Sequence, residues 1–402
     1  MTQRTTPETT LDVTIDRIVG DGKGIGFANG KTVFVSRTAP GEHLRVRVIR
    51  ETKNVVHAVP DKIYTASPMR ITPDVEYEER AGVYDFIHIG YQDQLKLKVG
   101  MIEDALRRIA KLETVPEIAI VPSPDQFGYR SRAEFQVSVE NGIVGYFAEN
   151  SKTIIDIKRC PLCTDTVNML LQTLRDDVEA GLVPAAAREY RAVATEFGTA
   201  LEPTTTNRSG MLQQKVGEFE YRFTAESFFQ ANIPVAAELV KGVMHIATQA
   251  RAENGYALDL YAGVGLFSLP LAKLFKRIIA VESHKPALGW LKDNLKHAGF
   301  TRSKEIGVPV EHWLNGDVSR YGKVALMVFD PPRTGAGDRA IQGMLKIAPA
   351  HIAAVSCDPA TFARDVRGLL DGGYELLSVK AYDMFPQTHH VEMIAHLKRK
   401  EL

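Results

Sequence analysis

The sequence predicts an α/β protein: a doubly wound C-terminal domain behind a small N-terminal β-barrel and a mixed α+β central domain. Three observations predict it. Residues 1–66 alternate polar and apolar side chains between Gly and Pro-Gly punctuation. Residues 67–225 mix a stretch of helical spacing with a strong hairpin signal. Residues 226–402 alternate short apolar runs with helical spacing.

The elements follow in order. LDVTIDRIV, GDGKGIGF, KTVFVSR and APGEHLRVRVIRE carry the two-residue period of short antiparallel strands. Strands this short and this close fit a small, OB-like barrel. Lys23, Lys31, Arg37, Arg45, Arg47, Arg50 and Lys53 recur among them. They suit a single-strand nucleic-acid platform, although Asp12, Asp16 and Glu51 equally suit a solvated exterior. Leu95 to Leu112 has helical spacing. YRSRAEFQVSVENGIVGYFAE alternates and turns at Asn141-Gly142, a hairpin signal. CPLCTDTVNMLLQTLRDDVE reads as a loop entering a helix. YALDLYA, RIIAVES, VALMVFDPP, AAVSCDP, YELLSVKAYD and HHVEMIAHLKR are the strands of the last domain.

Composition narrows the function classes. Lys plus Arg and Asp plus Glu each number 49, so no global charge draws the chain to nucleic acid; a local basic groove stays open. The opening MTQRTTPETT has no apolar leader core, and no apolar run is long enough to span a bilayer. Three cysteines exclude an even disulfide framework. The expectation is a cytoplasmic protein with no membrane partner, acting as a monomer.

In doubly wound sheets, ligands bind at the carboxyl ends of the strands. Those ends carry Gly263-Val264-Gly265, Glu282, Asp317, Asp330-Pro-Pro-Arg333 and Cys357. The glycine turn lets a nucleotide approach the backbone, but Ser268 stands where a dinucleotide fingerprint has its third glycine. Glu282 could accept hydrogen bonds from both ribose hydroxyls. An acid followed by Pro-Pro at the fourth strand's end favours S-adenosylmethionine over NAD. Cys357 faces a helix N-terminus, a place where thiols become thiolates. Taken alone it reads rather as a small buried hydrophobe, and the rest of the chain has to decide.

Together these motifs resemble the RNA uracil-5-methyltransferases that use S-adenosylmethionine, in the branch with an N-terminal TRAM barrel acting on ribosomal or transfer RNA. The resemblance rests on GDGKGIGF, VFVSRTAPGE and ASPMR, then YRSRAEF, SFFQAN, LDLYAGVGLFSL, FDPPRTGA, VSCDPATFARD and HHVEMIAHLKR, in that order. It implies a Rossmann-like methyltransferase domain. It implies that Cys357 is the nucleophile and Glu392 the base that removes the carbon 5 proton. Gln230, Tyr261, Glu282 and Asp330 would line the cofactor, with Asp317 a further candidate. Ribosomal RNA is the expected substrate by analogy with barrel-bearing members, with transfer RNA as the alternative.

The chemistry explains why such residues are needed. Carbon 5 of uracil is a poor nucleophile, and adding a thiolate at carbon 6 supplies it with electron density. A base must then take the carbon 5 proton so that the thiol can leave. His389 and His390 are rival bases, since histidine titrates nearer neutrality; burial could raise Glu392 toward the same task. The target base must leave its stack to reach Cys357. The barrel and the Arg130/Arg132 hairpin would hold the surrounding RNA, or those arginines are ordinary solvated charge. Arg333 would orient the uracil or the Asp330 turn.

The sequence departs from the family in two places. Where long members carry C-x5-C-G-G-C for an iron–sulfur cluster, this chain has Val75, Ala81 and Tyr84. Only Cys160, with Cys163 beside it in CPLC, remains near the fourth ligand position. No metal site and no iron–sulfur cluster are therefore expected. Leu266 stands where several members have Asn. Two other functions stay open: an RNA-binding protein with an idle methyltransferase domain, and a methyltransferase of another class that needs no cysteine.

Overall fold

The structure, a computed structural model, describes residues 9–149, 151–203, 210–253, 255–316 and 322–401. Strands β1 (Thr10–Thr14), β2 (Arg17–Ile18), β3 (Gly24–Ala28), β4 (Lys31–Val35), β5 (His43–Glu51) and β6 (Val55–Thr65) form one sheet. Its order is β1-β5-β6-β4-β3-β2. Every second side chain turns inward, so Val33, Val35, Leu44, Val46, Val56 and Ala58 make a buried core. Gly26 packs against β1 so closely that a Cβ would lie 2.2 Å from the Thr14 carbonyl oxygen. Only glycine permits that approach.

The middle of the chain contains α1 (Tyr91–Arg108), β7 (Ala119–Val121), β8 (Arg132–Ser138), β9 (Ile143–Phe147), β10 (Ile154–Asp156), α2 (Asp165–Glu179), β11 (Glu189–Thr195), β12 (Gly198–Glu202), β13 (Leu212–Val216) and β14 (Phe219–Phe223). Strands β10-β9-β8-β11-β12 form an antiparallel sheet. The β8–β9 turn falls at Asn141-Gly142, with Gly142 at φ 64°. Helix α2 starts at Thr164, whose hydroxyl accepts the Val167 N–H, and its apolar face closes the core of this sheet.

The last part contains α3 (Ile233–Ala250), β15 (Tyr256–Leu260), α4 (Ser268–Leu274), β16 (Ile278–Val281), α5 (Lys285–His297), β17 (Ser303–Ile306), α6 (Val310–Leu314), β18 (Val324–Phe329), α7 (Gly337–Ile347), β19 (His351–Ser356), α8 (Pro359–Asp371), β20 (Tyr374–Tyr382) and β21 (Glu392–Arg399). The sheet runs β17-β16-β15-β18-β19-β21-β20-β7. Every residue of β18 and β19 is buried, as expected for parallel strands covered on both faces. Strand β21 runs antiparallel to β19 and β20. The order reverses between β15 and β18, and such a switch point opens a crevice at the strands' carboxyl ends.

One segment crosses the boundaries read from the sequence. Residues 91–121 fall within 67–225, yet β7 pairs in parallel with β20 and α1 lies against α8. Ile102, Leu106 and Ala110 are buried in the core of the C-terminal sheet. Helical periodicity announces an apolar stripe but not which partner covers it.

Candidate active site

The site begins with loops at strand ends. The turn after β15 holds Tyr261 at φ 62° and Gly263 at φ 55°, both left-handed. A Cβ added to Gly263 would meet nothing within 4 Å, so the turn faces open space. Glu282 follows β16 and accepts the Gly263 N–H at 2.8 Å and the His284 N–H at 2.6 Å. It pins the glycine turn while each oxygen keeps a lone pair for a ribose hydroxyl. The Tyr261 hydroxyl donates to Glu311 at 3.1 Å. Asp330 closes β18, and burial pushes its carboxyl above the usual range. Gln230 lies in the loop before α3; its side-chain oxygen is buried with no hydrogen-bond partner. Asp317 lies outside the described residues.

Cys357 and Glu392 meet because of strand register. The β19–β21 ladder ends with Ser356 opposite Met393, so the next step sets Cys357 beside Glu392. Glu392 is buried. Burial first, and the Asp330 charge second, raise its carboxyl; Arg333 opposes them. The thiol does not follow the expectation of a helix-activated thiolate. Burial, then the Glu392 and Asp330 charges, push Cys357 up to about 12. The start of α8 is already capped by Asp358, whose carboxylate accepts the Thr361 N–H at 2.8 Å. Arg333 is the neighbour that pulls Cys357 down.

The rival bases are engaged elsewhere. His389 Nδ1 is hydrogen-bonded to Asp85. Arg333 can only donate, so its contact with His390 Nε2 at 3.1 Å makes that nitrogen an acceptor. Burial and the neighbouring His389 and Arg333 push His390 far below the ordinary histidine range. The loop bearing both histidines is fastened to α1. Lys98 and Asp383 form a fully buried ion pair at 2.5 Å. Gln94 donates to the Gln387 side-chain oxygen at 2.8 Å and accepts the Gln387 N–H at 3.0 Å.

A cleft of about 560 Å³ leads to this point, lined by Arg130, Arg132, Arg191, Arg333, Phe228 and His390 among others. Arg132 has a second duty: its guanidinium donates to the Ser227 carbonyl at 2.5 Å and to that of Ala225. It thereby ties the hairpin to the loop that carries Gln230. Arg130 is half-buried beside Cys163, and its Nε donates to the Arg132 carbonyl at 3.0 Å. The structure thus brings Arg130, Arg132 and Arg333 to one cleft, and Arg333 also faces Cys357 and Glu392.

Three residues escaped the sequence reading. Asp259, in LDLYAGVG, is buried with one carboxylate oxygen unpartnered. The other oxygen accepts from Ser268, and burial lifts its pKa to about 7. The acid inside the glycine motif was its available signal. Phe228 is 68% exposed in the cleft, whereas Phe229 stacks on Phe223 at 4.6 Å inside the core. The doubled phenylalanine hid that division. Asp85 had no local signal.

The positions of the absent cluster ligands are filled by packing. Ala81 and Tyr84 are buried in the central core and Val75 packs on it. Only Cys160 and Cys163 of a thiol set are present, which does not fit a four-ligand cluster. Among the described residues no group of three or more His, Cys, Asp and Glu could hold a metal ion. No helix among them is long and apolar enough to cross a membrane.

Comparison with known proteins agrees with the motif order. Residues 205–400 match the tRNA (uracil-5-)-methyltransferase family. An uncharacterized RNA methyltransferase of Aquifex aeolicus is 28% identical, over 97% of this chain and 99% of that protein. The 23S rRNA (uracil(1939)-C(5))-methyltransferase RlmD of Pseudomonas savastanoi pv. phaseolicola is 29% identical, over 95% and 92%. The fold matches that of the Pyrococcus abyssi tRNA (uracil-54, C5)-methyltransferase at a TM-score of 0.72 and 24% identity, covering 96% and 100% of the two chains. Residues 205–400 thus resemble the tRNA (uracil-5-)-methyltransferase family, and RNA methyltransferase relatives align along nearly the whole chain.

Proposed function

We propose that this enzyme transfers a methyl group from S-adenosylmethionine to carbon 5 of a uridine through a covalent Cys357–uracil adduct. The observation that carries the reading is the β19–β21 register, which ends at Ser356 opposite Met393 and so brings the next residues, Cys357 and Glu392, together, with the Asp330 and Arg333 charges acting on both.

S-adenosylmethionine, when bound, supplies an electrophilic methyl group on a positively charged sulfonium. The residues present fit it. Gln230 offers an orphaned buried acceptor to an ammonium group. Asp259 and Asp330 are carboxyls pushed up by burial, and a cation beside them would restore their charge. Glu282 and Tyr261 stand at the glycine turn for the nucleoside.

Cys357 gives its proton to solvent, the thiolate being favoured by the Arg333 charge, and its sulfur bonds to carbon 6 of the uracil. Electron density moves to carbon 5, which would take the methyl group as the sulfonium S–CH3 bond breaks, its electron pair staying on sulfur and leaving a neutral thioether. Glu392, ionised, then takes the carbon 5 proton. The electrons of that C–H bond restore the ring double bond, and the carbon–sulfur bond breaks. The raised carboxyl makes Glu392 a stronger base than an exposed glutamate.

The RNA would reach the site along a continuous groove. The catalytic cleft shares Gly82, Val83 and Glu134 with a second cleft, which shares Glu149 and Ser151 with a third on the barrel. The third is lined by Lys23, Arg50 and the stacked Phe34–His57 pair, and the exposed Phe228 stands in the first. Aromatic faces and cations together suit unstacked RNA. Ribosomal RNA is the proposed substrate, in line with the name of the Pseudomonas relative.

RNA containing 5-fluorouridine tests the chemistry. Its carbon 5 substituent cannot leave as a proton, so the protein should remain covalently bound on a denaturing gel. Absence of any adduct from RNA that the enzyme methylates would overturn the covalent route. Mapping 5-methyluridine in total RNA of a deletion strain names the target; a loss confined to transfer RNA would replace ribosomal RNA.

A further inference from the structure

The geometry points to Asp85 as a positioning residue for the reaction: through His389 and His390 it orients Arg333 at the reacting pair. The inference rests on the uracil-5 reading of the cleft and extends it to residues 300 positions apart in the chain, as the 304-residue Asp85–His389 separation shows.

Each link is a named contact. Asp85 accepts from His389 Nδ1, and the His389 backbone N–H points at the same carboxylate, 3.3 Å from Oδ1. Two attachments fix both the ring's orientation and the proton's place on it. The His389 ring lies 4.0 Å from that of His390. His390 Nε2 accepts from Arg333 at 3.1 Å. Arg333, held by His390 two residues from Glu392, is the cation whose charge opposes the upward shift of both Cys357 and Glu392. Asp85 itself is held between the buried Tyr84 and Phe86, and the Phe86 N–H donates to the Gln387 carbonyl at 3.0 Å.

The barrel braces this chain of contacts. Gly22, between β2 and β3, has φ 77°. A Cβ placed on it would lie 2.7 Å from both the Asp85 carboxylate and His389 Cβ. The turn therefore seats directly on the Asp85–His389 pair, and no side chain fits between them. Seating of the barrel and aim of Arg333 are parts of one packed array.

A double-mutant cycle tests the inference. Single-turnover methylation of substrate RNA is measured for wild type, Asp85→Ala, Arg333→Ala and the double variant. Asp85→Ala should slow methylation at saturating RNA about tenfold or more, with S-adenosylmethionine affinity unchanged. In the Arg333→Ala background the same change should cost less than about threefold, because the residue it aims is gone. Asp85→Asn, which keeps an acceptor for His389, should recover most of the rate. Should Asp85→Ala fail to fold, His389→Ala runs the same cycle. Equal losses in both backgrounds would show a merely structural role and overturn the inference. The cycle is also read on RNA dissociation constants. If wild type bound RNA but methylated no uridine, the proposed function would fail, and the coupling would still be decided by binding.

Discussion

Two thiol sites in this molecule invert the usual expectation. Cys357 is half-buried just past the end of β19, and burial first, then the Glu392 and Asp330 charges, push its pKa up to about 12. Cys160 is wholly buried in the central domain. Burial pushes it up too, but the neighbouring Cys163 and aromatic hydroxyls and the Arg130 charge outweigh that, and its pKa is lowered. The thiol whose surroundings shift it downward is the buried one. Resting acidity and catalytic fitness are thus separate properties. The first follows from fixed neighbours, the second from access and from charges that arrive with the substrates.

The comparison breaks most decisively at the proposed nucleophile. Cys357→Ala should lower methylation by at least about 10³-fold while S-adenosylmethionine still binds, since covalent catalysis leaves with the sulfur. Measurable turnover near the wild-type rate would remove the adduct from the mechanism. Calorimetric titration of the variant with S-adenosylmethionine provides the binding arm.

Glu392→Gln should sharpen it. The sulfur would still add and carbon 5 would still receive its methyl group, but an amide cannot accept the carbon 5 proton. Turnover should fall about 10²-fold or more, and a methyl-labelled protein–RNA band should persist on a denaturing gel. His389→Ala should not produce that stall. In the wild type, elimination should slow as pH falls through the raised Glu392 pKa, because only the ionised carboxylate takes a proton. Stability runs the other way. A carboxyl raised on folding holds its proton longer than in the unfolded chain, so its contribution declines as pH rises from the ordinary carboxylate range to the raised value.

Much of this site was legible as residue order. A glycine turn after a strand, an acid after the next, Asp-Pro-Pro-Arg and a strand-end cysteine are local signals, because each marks a backbone shape. The choice between Glu392 and the two preceding histidines was not local. It needed the register that sets Cys357 beside Glu392 and the contacts that occupy His389 and His390. Asp85 and strand β7 were unreadable for the same reason: their partners lie far along the chain. For Cys357 the helix-terminus argument counted the α8 N–H groups, whereas burial first, and then the Glu392 and Asp330 charges, push the thiol upward; neither is visible in the local sequence.

The smallest expected effect belongs to the other thiol, and it decides whether the CPLC pair is structural. Cys160 sits in a turn held by Asn168, which accepts the Cys160 N–H at 2.8 Å and donates to the Cys160 and Cys163 carbonyls at 3.0 and 3.1 Å. Tyr146 meets the Cys163 sulfur at 3.7 Å. Replacing Cys160 by Ala keeps this backbone frame but removes a polarisable partner from Cys163, Tyr84 and Arg130. The loss of a buried hydrogen-bonded group costs about 1–3 kcal/mol, read as a lower denaturant midpoint for the variant. A thiol lowered on folding contributes more as pH rises toward the ordinary thiol range. The wild-type advantage should therefore widen from mildly acidic to mildly alkaline buffer. Methylation at saturating RNA should stay within about threefold of wild type, since Cys160 touches no part of the reacting pair. A variant of unchanged stability that lost methylation as Cys357→Ala does would reverse the assignment of the two thiols.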